Sequence, residues 1–159
     1  MILAGGNGGA SKGLDNIISD HHDFASVVRY ELKRSERYCS FVSILTVRLD
    51  SLHNRLMRKF PANPVMADDF VAHMFKAIRT AIRVTDIVST IDRDRVGLLL
   101  VETPKEGAVV LAKRLSDHLS DYFERTGELT STVKPKIEIG SYPDSDNSTV
   151  ERMLEDFTG

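Results

Sequence analysis

Arginine and aspartate residues concentrate in one segment of the sequence, "RVTDIVSTIDRDRVGLLLVETP", residues 83–104. Arg83 and Asp86 stand at its start. An arginine offers a planar fork of donors that can bind phosphate bidentately, and an aspartate accepts hydrogen bonds from N–H groups. The apolar runs "IVSTI" and "VGLLLV" predict the two strands of a hairpin. The charged residues 92–95, "DRDR", occupy its turn, where a tight hairpin normally has glycine or asparagine.

The remaining reactive side chains do not form a recognisable catalytic or metal site. The five histidines are scattered, and no two of them share metal-ligand spacing with a third ligand. Cys39 is the only cysteine, which excludes an internal disulfide and favours a reducing compartment. The start "MILAGGNGGASKG" lacks the glycine that a phosphate-binding loop needs before its lysine. We therefore expect no metal and no cofactor, and we interpret residues 1–22 as a flexible glycine-rich tail.

Length and composition indicate one ordinary globular domain, over residues 23–159. The chain has 159 residues, of which 42% are hydrophobic and 28% charged, and its net charge is −2. This charge balance argues against nucleic-acid binding, and no apolar run is long enough for membrane insertion. We expect a cytoplasmic protein.

Hydrophobic periodicity predicts helices that alternate with strands around the central hairpin. Helices are predicted over residues 23–38, 51–60, 65–83, 104–126 and 148–157, and strands over 40–50, 87–91, 96–101 and 134–143. Arg83 is placed in the last turn of its helix, and Ser148 is predicted to cap the final one. Ile44, Val47, Leu98 and Leu100 are expected in cores on the sheet faces. The order predicts an α+β fold with a mostly antiparallel sheet.

Residues 83–101 resemble the corresponding part of the GGDEF (diguanylate cyclase) family. That family has arginine, two residues, aspartate, five residues, the GGDEF hairpin tip and an apolar strand. Other landmarks follow in the same order: "SILTVRLDSL", "ADDFVAHMFKAIRTAIR", "LAKRL" and "KIEIGSYP". The resemblance covers about residues 24–157. It implies a nucleotidyl-cyclase-like fold, in which helices flank a central, mostly antiparallel five-stranded sheet.

The chain departs from this family at the positions that the resemblance assigns to catalysis. The signature is replaced by Asp92, Arg93, Asp94, Arg95 and Val96. Asp92 and Arg93 add side chains where the two glycines let the backbone approach a nucleotide. Arg48 stands at the position of a magnesium-binding aspartate, and a cation cannot ligate a hard metal ion. The resemblance thus implies a degenerate domain with no catalytic residues and no diguanylate cyclase activity.

The resemblance also implies which ligand contacts the chain retains. Leu56 replaces the asparagine that contacts the nucleotide, and Asp68 remains as a vestigial nucleotide contact. Arg83, Asp86 and Arg114 match an inhibitory site that binds cyclic di-GMP. A simple structural pairing of Arg83 with Asp86 explains the same residues without a ligand. We therefore expect a signalling domain of bacterial type that binds cyclic di-GMP. The alternative is a nucleotide-free module for homodimerisation or partner docking through the amphipathic first helix.

Overall fold

The structure of the protein is a computed structural model. It describes residues 17–18, 21–48, 74–92, 95–125, 135–146 and 148–158. In chain order the elements are strand β1 (Ile17–Ile18), helix α1 (His21–Tyr38), strand β2 (Val42–Arg48), helix α2 (74–81), strands β3 (Ile87–Thr90) and β4 (Arg95–Val101), helix α3 (Lys105–Arg125), strand β5 (Lys136–Tyr142) and helix α4 (Ser148–Thr158). The predicted helix over residues 51–60 lies outside the described part of the chain.

The strands form one sheet in the order β1-β3-β4-β2-β5. The four longer strands, β3, β4, β2 and β5, are antiparallel to their neighbours. They are the four strands predicted from the sequence, so the α+β class and the mostly antiparallel sheet are confirmed. The fifth strand is only the two-residue β1, which pairs in parallel with Val88 and Ser89 of β3. It lies within the predicted tail.

Helices cover both faces of the sheet, because the strand residues alternate between two apolar sets. On the front face, Val47, Leu98 and Leu100 pack with residues of α2 and α3 such as Ile78 and Leu115. On the back face, Ile44 and Leu99 pack against residues of α1 and α4. The four core residues named from the sequence are therefore buried as expected, Ile44 on one face and the other three on the opposite face.

Gly97 is required where α1 crosses the hairpin. A Cβ atom at Gly97 would lie 2.6 Å from Cε1 of Phe24, which is fully buried and packs on Phe157 with ring centroids 5.3 Å apart. Because a contact of that length is repulsive, the close approach of α1 to strand β4 depends on the absence of a side chain at residue 97.

Two helix ends differ from the predictions. Helix α2 ends at residue 81, so Arg83 lies in the following turn and not in the last turn of the helix. Helix α4 is capped by Asp146, whose Oδ1 accepts hydrogen bonds from the backbone N–H and hydroxyl of Ser148. These bonds, that of the hydroxyl above all, lower the pKa of Asp146 below its ordinary value. Ser148 is therefore a donor to the cap, and its prediction as the cap was wrong.

No described helix is both long and apolar enough to cross a lipid bilayer.

Candidate functional site

A tight turn between α2 and β3 brings Arg83 and Asp86 together. The backbone N–H of Asp86 donates to the carbonyl of Arg83 at 3.1 Å, and the backbone N–H of Arg83 donates to Oδ2 of Asp86 at 3.0 Å. The Arg83 side chain reaches the same carboxylate, with Nε and Nη2 each 3.5 Å from an Asp86 oxygen. Asp86 is 1% exposed. Its carboxylate is thus committed to closing the turn and orienting the arginine.

The Arg83 guanidinium is anchored at its base and remains open to solvent. Nη2 donates to the carbonyl of Val101 at 3.0 Å and to Oγ1 of Thr103. The side chain is nevertheless 57% exposed, and Nη1 has no hydrogen-bond partner among the described residues. Because Nε and Nη2 already hold the guanidinium in place, the exposed side chain can receive an acceptor without first losing much conformational freedom.

The segment that anchors Arg83 is itself held by buried hydroxyl groups. Ser43 Oγ donates to the carbonyl of Thr103 at 2.8 Å and lies 2.8 Å from Ser141 Oγ. The Thr103 hydroxyl donates to the carbonyl of Val101 at 2.9 Å. Between them, Glu102 adopts a positive φ of 50°. This fixed bend after β4 places the Glu102 side chain at the surface beside Arg83.

Arg114 approaches the same region from helix α3. Its Nη2 donates to the carbonyl of Ala81 at 3.0 Å, at the C-terminal end of α2, where the helix dipole attracts a cation. The residue is exposed. Arg114 therefore couples α3 to the end of α2 while its charge stays near the turn that contains Arg83.

These residues line one cavity of about 280 Å³. Its lining comprises Arg83, Asp86, Leu100, Glu102, Thr103, Pro104, Gly107, Val110, Leu111 and Arg114. The structure thus brings together all three residues that the sequence analysis assigned to this site. Two arginines supply positive charge, and the carboxylate exposed at the cavity is that of Glu102, since Asp86 is buried.

The sequence analysis did not identify Glu102 and Thr103. A signal for them was present, because an antiparallel hairpin brings its two ends together. Residues just before β3 must therefore meet residues just after β4, and "ETP" follows β4 as "RVTD" precedes β3. The arginine and aspartate spacing marks only the first of these two segments.

The opposite end of the sheet carries a row of positive charges. Arg48 of β2 lies directly opposite Arg95 of β4 on one side and Lys136 of β5 on the other. Opposed residues of antiparallel strands direct their side chains to the same face. Arg95 forms an ion pair with Asp92 at 2.7 Å, whereas no described residue pairs with Arg48. As far as the described residues go, this row of positive charges is unfavourable for a divalent cation.

The other predicted residues of the tip and of the nucleotide site are described only in part. Val96 is buried in the core of the front face. Arg93, Asp94, Leu56 and Asp68 lie outside the described residues. Within the described part of the chain, no group of three or more histidine, cysteine, aspartate or glutamate side chains is arranged to hold a metal ion.

Comparisons with known proteins identify the fold. No protein-family model and no curated protein matches the sequence. Among solved structures, a DGC protein from Thermotoga maritima is 18% identical, with a TM-score of 0.63, over 87% of this chain and 93% of that one. The active GGEEF domain of a diguanylate cyclase from Vibrio cholerae is 13% identical, with a TM-score of 0.66, over 86% of each chain. The FimX GGDEF domain from Pseudomonas aeruginosa is 11% identical, with a TM-score of 0.64, over 86% of this chain and 83% of that one. The chain therefore has the fold of GGDEF domains.

Proposed function

We propose that this protein is a degenerate GGDEF domain that binds cyclic di-GMP at the Arg83 cavity and does not synthesise it. One observation carries the proposal: Arg83 and Arg114, from different elements, line the same cavity together with an exposed carboxylate. Two phosphates and two guanine bases require both positive charge and planar recognition, and arginine supplies both.

Each residue of the cavity takes a distinct role in this proposal. Arg83 binds a phosphate oxygen or the Hoogsteen edge of guanine through its exposed guanidinium face. Glu102 accepts hydrogen bonds from the guanine N1–H and amino group, because its carboxylate is exposed. Asp86 is a positioning residue, since its carboxylate is buried and holds the Arg83 turn. This division differs from the expectation drawn from the resemblance, which placed Asp86 among the residues that bind the ligand.

In size, the cavity suits one half of cyclic di-GMP. Its volume of about 280 Å³ lies just below the range of roughly 300–1,000 Å³ that is typical of small-molecule pockets. One guanine nucleotide of the two would occupy the cavity, and the other half would extend over the exposed apolar surface that Val110 contributes to its rim.

The loss of synthesis follows from the charge at the other end of the sheet. Phosphoryl transfer depends on metal ions that neutralise the phosphates and position them. The row of Arg48, Arg95 and Lys136 repels such a cation. Incubation with GTP and Mg²⁺ should therefore yield no cyclic di-GMP above a control without protein. Clear turnover would refute the proposed inactivity and leave the binding proposal standing.

Calorimetric titration with cyclic di-GMP tests the binding proposal. Replacing Arg83 with alanine should remove a bidentate contact worth about 1–3 kcal/mol, which lowers affinity roughly tenfold to a hundredfold. Arg152→Ala is the matched control, because Arg152 is an exposed arginine of α4, the helix that covers the back face. Glu102→Gln should weaken cyclic di-GMP more than cyclic di-AMP, since adenine has neither the N1–H nor the 2-amino group with which guanine would donate to the carboxylate.

Two results would contradict the binding proposal. One is the absence of heat from cyclic di-GMP with the unmodified protein. The other is an equal loss of affinity from Arg83→Ala and Arg152→Ala, which would indicate a general charge effect and not a site.

A further inference from the structure

Helix α1 presents a second, unrelated surface on its outer side. Its inner side is occupied by the back-face core, which includes Phe24 and Val28. On the outer side, an open groove of about 330 Å³ is lined by Tyr30, Lys33, Arg34, Arg37 and Tyr38. We call this set the α1 groove. It lies on a helix that does not contribute to the Arg83 cavity.

Large aromatic side chains are exposed along the α1 groove. Tyr30 and Tyr38 are each 66% exposed. The guanidinium carbon of Arg37 lies 5.5 Å from the centroid of the Tyr38 ring, which holds the two side chains together. Tyrosine and arginine are among the residue types that are enriched at the energetic centres of protein interfaces.

The groove is positively charged although the whole chain is not. Lys33, Arg34 and Arg37 contribute three positive charges, and Glu31 neutralises one of them through its ion pair with Arg34 at 3.4 Å. The chain has a net charge of −2, so the basic character is local. The helix dipole explains cations in the last turn of α1, but it does not account for Lys33 or for the exposed tyrosines.

We propose that the α1 groove binds an acidic, amphipathic segment of a partner protein. Glutamate or aspartate side chains of the partner would accept hydrogen bonds from Lys33 and Arg37, and an apolar side chain would pack between Tyr30 and Tyr38. A symmetric contact between two copies is disfavoured, because a two-fold axis would bring the same basic residues face to face.

Fluorescence anisotropy with the full chain tests this proposal. The probe is a labelled peptide of about 15 residues with glutamate and leucine at helical spacing, the pattern of an amphipathic ligand in a groove. Lys33→Glu combined with Arg37→Glu should lower affinity about tenfold or more, because two attractions become repulsions. Lys76→Glu combined with Lys113→Glu is the matched control. It changes the net charge equally at exposed positions of α2 and α3, and it should leave binding unchanged.

Thermal unfolding of both charge-reversed double variants checks that each remains folded. A third double variant, Tyr30→Ser with Tyr38→Ser, should also lower the affinity for the peptide, and it does so without a change of charge. The proposal would be overturned by the absence of peptide binding, by an equal loss in the two charge-reversed proteins, or by tighter binding of an oligouridylate of about 12 nucleotides, which would assign the aromatic residues to base stacking.

Discussion

The row of positive charges formed by Arg48, Arg95 and Lys136 should destabilise the protein. Removing the charge of Arg48, which lies in the middle of the row, should therefore stabilise it. Arg48 faces Arg95 and Lys136 across the two neighbouring strands. Opposed Cα atoms in antiparallel pairs are about 4.5–5.5 Å apart, and like charges in such positions destabilise a sheet. We therefore expect Arg48→Gln, which keeps most of the side-chain volume, to raise the free energy of unfolding.

The size of this effect follows from Coulomb's law. At a charge separation of about 6 Å in water, each like pair costs about 0.7 kcal/mol, so two pairs cost about 1.4 kcal/mol. The ion pair between Asp92 and Arg95 offsets much of one of these terms. At an ionic strength of about 0.15 M, screening over a Debye length of about 8 Å roughly halves the remainder, which leaves a gain of about 0.4 kcal/mol. The gain should rise to about 0.7 kcal/mol near 0.01 M and nearly vanish near 1 M.

Urea unfolding at several salt concentrations measures this gain. Arg152→Gln is the control, since it deletes the same charge on the back face but breaks the exposed ion pair between Arg152 and Glu138. That variant should be destabilised by about 0.2–1 kcal/mol at low salt. The two variants have equal net charge. Changes of opposite sign in their free energies of unfolding would therefore show that the effect comes from the local surroundings of Arg48. If Arg48→Gln destabilises the protein, or changes its stability equally at every salt concentration, the row is not repulsive and the reasoning fails.

Three further predictions concern single side chains. Asp86→Asn should lower the free energy of unfolding by about 1–3 kcal/mol in urea titrations, because the buried carboxylate that accepts from Arg83 loses its charge. Gly97→Ala should cost about 1–3 kcal/mol by the same measurement, since the new methyl group must displace the buried ring of Phe24. Asp146→Asn should destabilise the protein at neutral pH and not in strong acid. The ionised carboxylate, with its lowered pKa, contributes stability that is complete above its ordinary pKa of 3.8 and is lost as the pH falls through the lower folded value.

The strands could be predicted from the sequence because each one is a dense run of β-branched and aliphatic residues. Val42–Arg48 lies inside the predicted strand 40–50, and Arg95–Val101 begins one residue before the predicted 96. Both faces of β2 are apolar, and the strand indeed lies inside the sheet. A strand that is buried on both faces is apolar along nearly its whole length, which explains why these strands could be identified from the sequence.

The helix ends were less predictable, because charge patterns do not distinguish a helix terminus from the turn beyond it. The apolar spacing of α2 continues to Ile82, one residue beyond the end of the helix, and Arg83 was assigned to the helix because a cation suits a C-terminal end. Asp146 and Ser148 are both good caps by residue type, so only the hydrogen bonds decide between them. A one-dimensional pattern contains no information on that choice.

Prediction of the candidate site depended on the family resemblance more than on periodicity. That Arg114 lies near Arg83 requires α3 to pack beside the end of α2, which residue spacing alone does not specify. The burial of Asp86 is likewise a tertiary property. Whether the cavity binds cyclic di-GMP stays a prediction, but the structure supplies Glu102 and Thr103 as residues that its test must include.

The two ends of the central hairpin can change independently, so the proposed binding site at its base is compatible with the proposed loss of catalysis at its tip. Strand β4 carries Arg95 at its start and Val101 at its end. At about 3.4 Å per residue, these ends are roughly 20 Å apart, more than twice the Debye length of about 8 Å at physiological salt. The row of arginine and lysine at the tip therefore has little electrostatic effect at the base. There, Arg83 is held by local contacts with Asp86, Val101 and Thr103, none of which involves the tip.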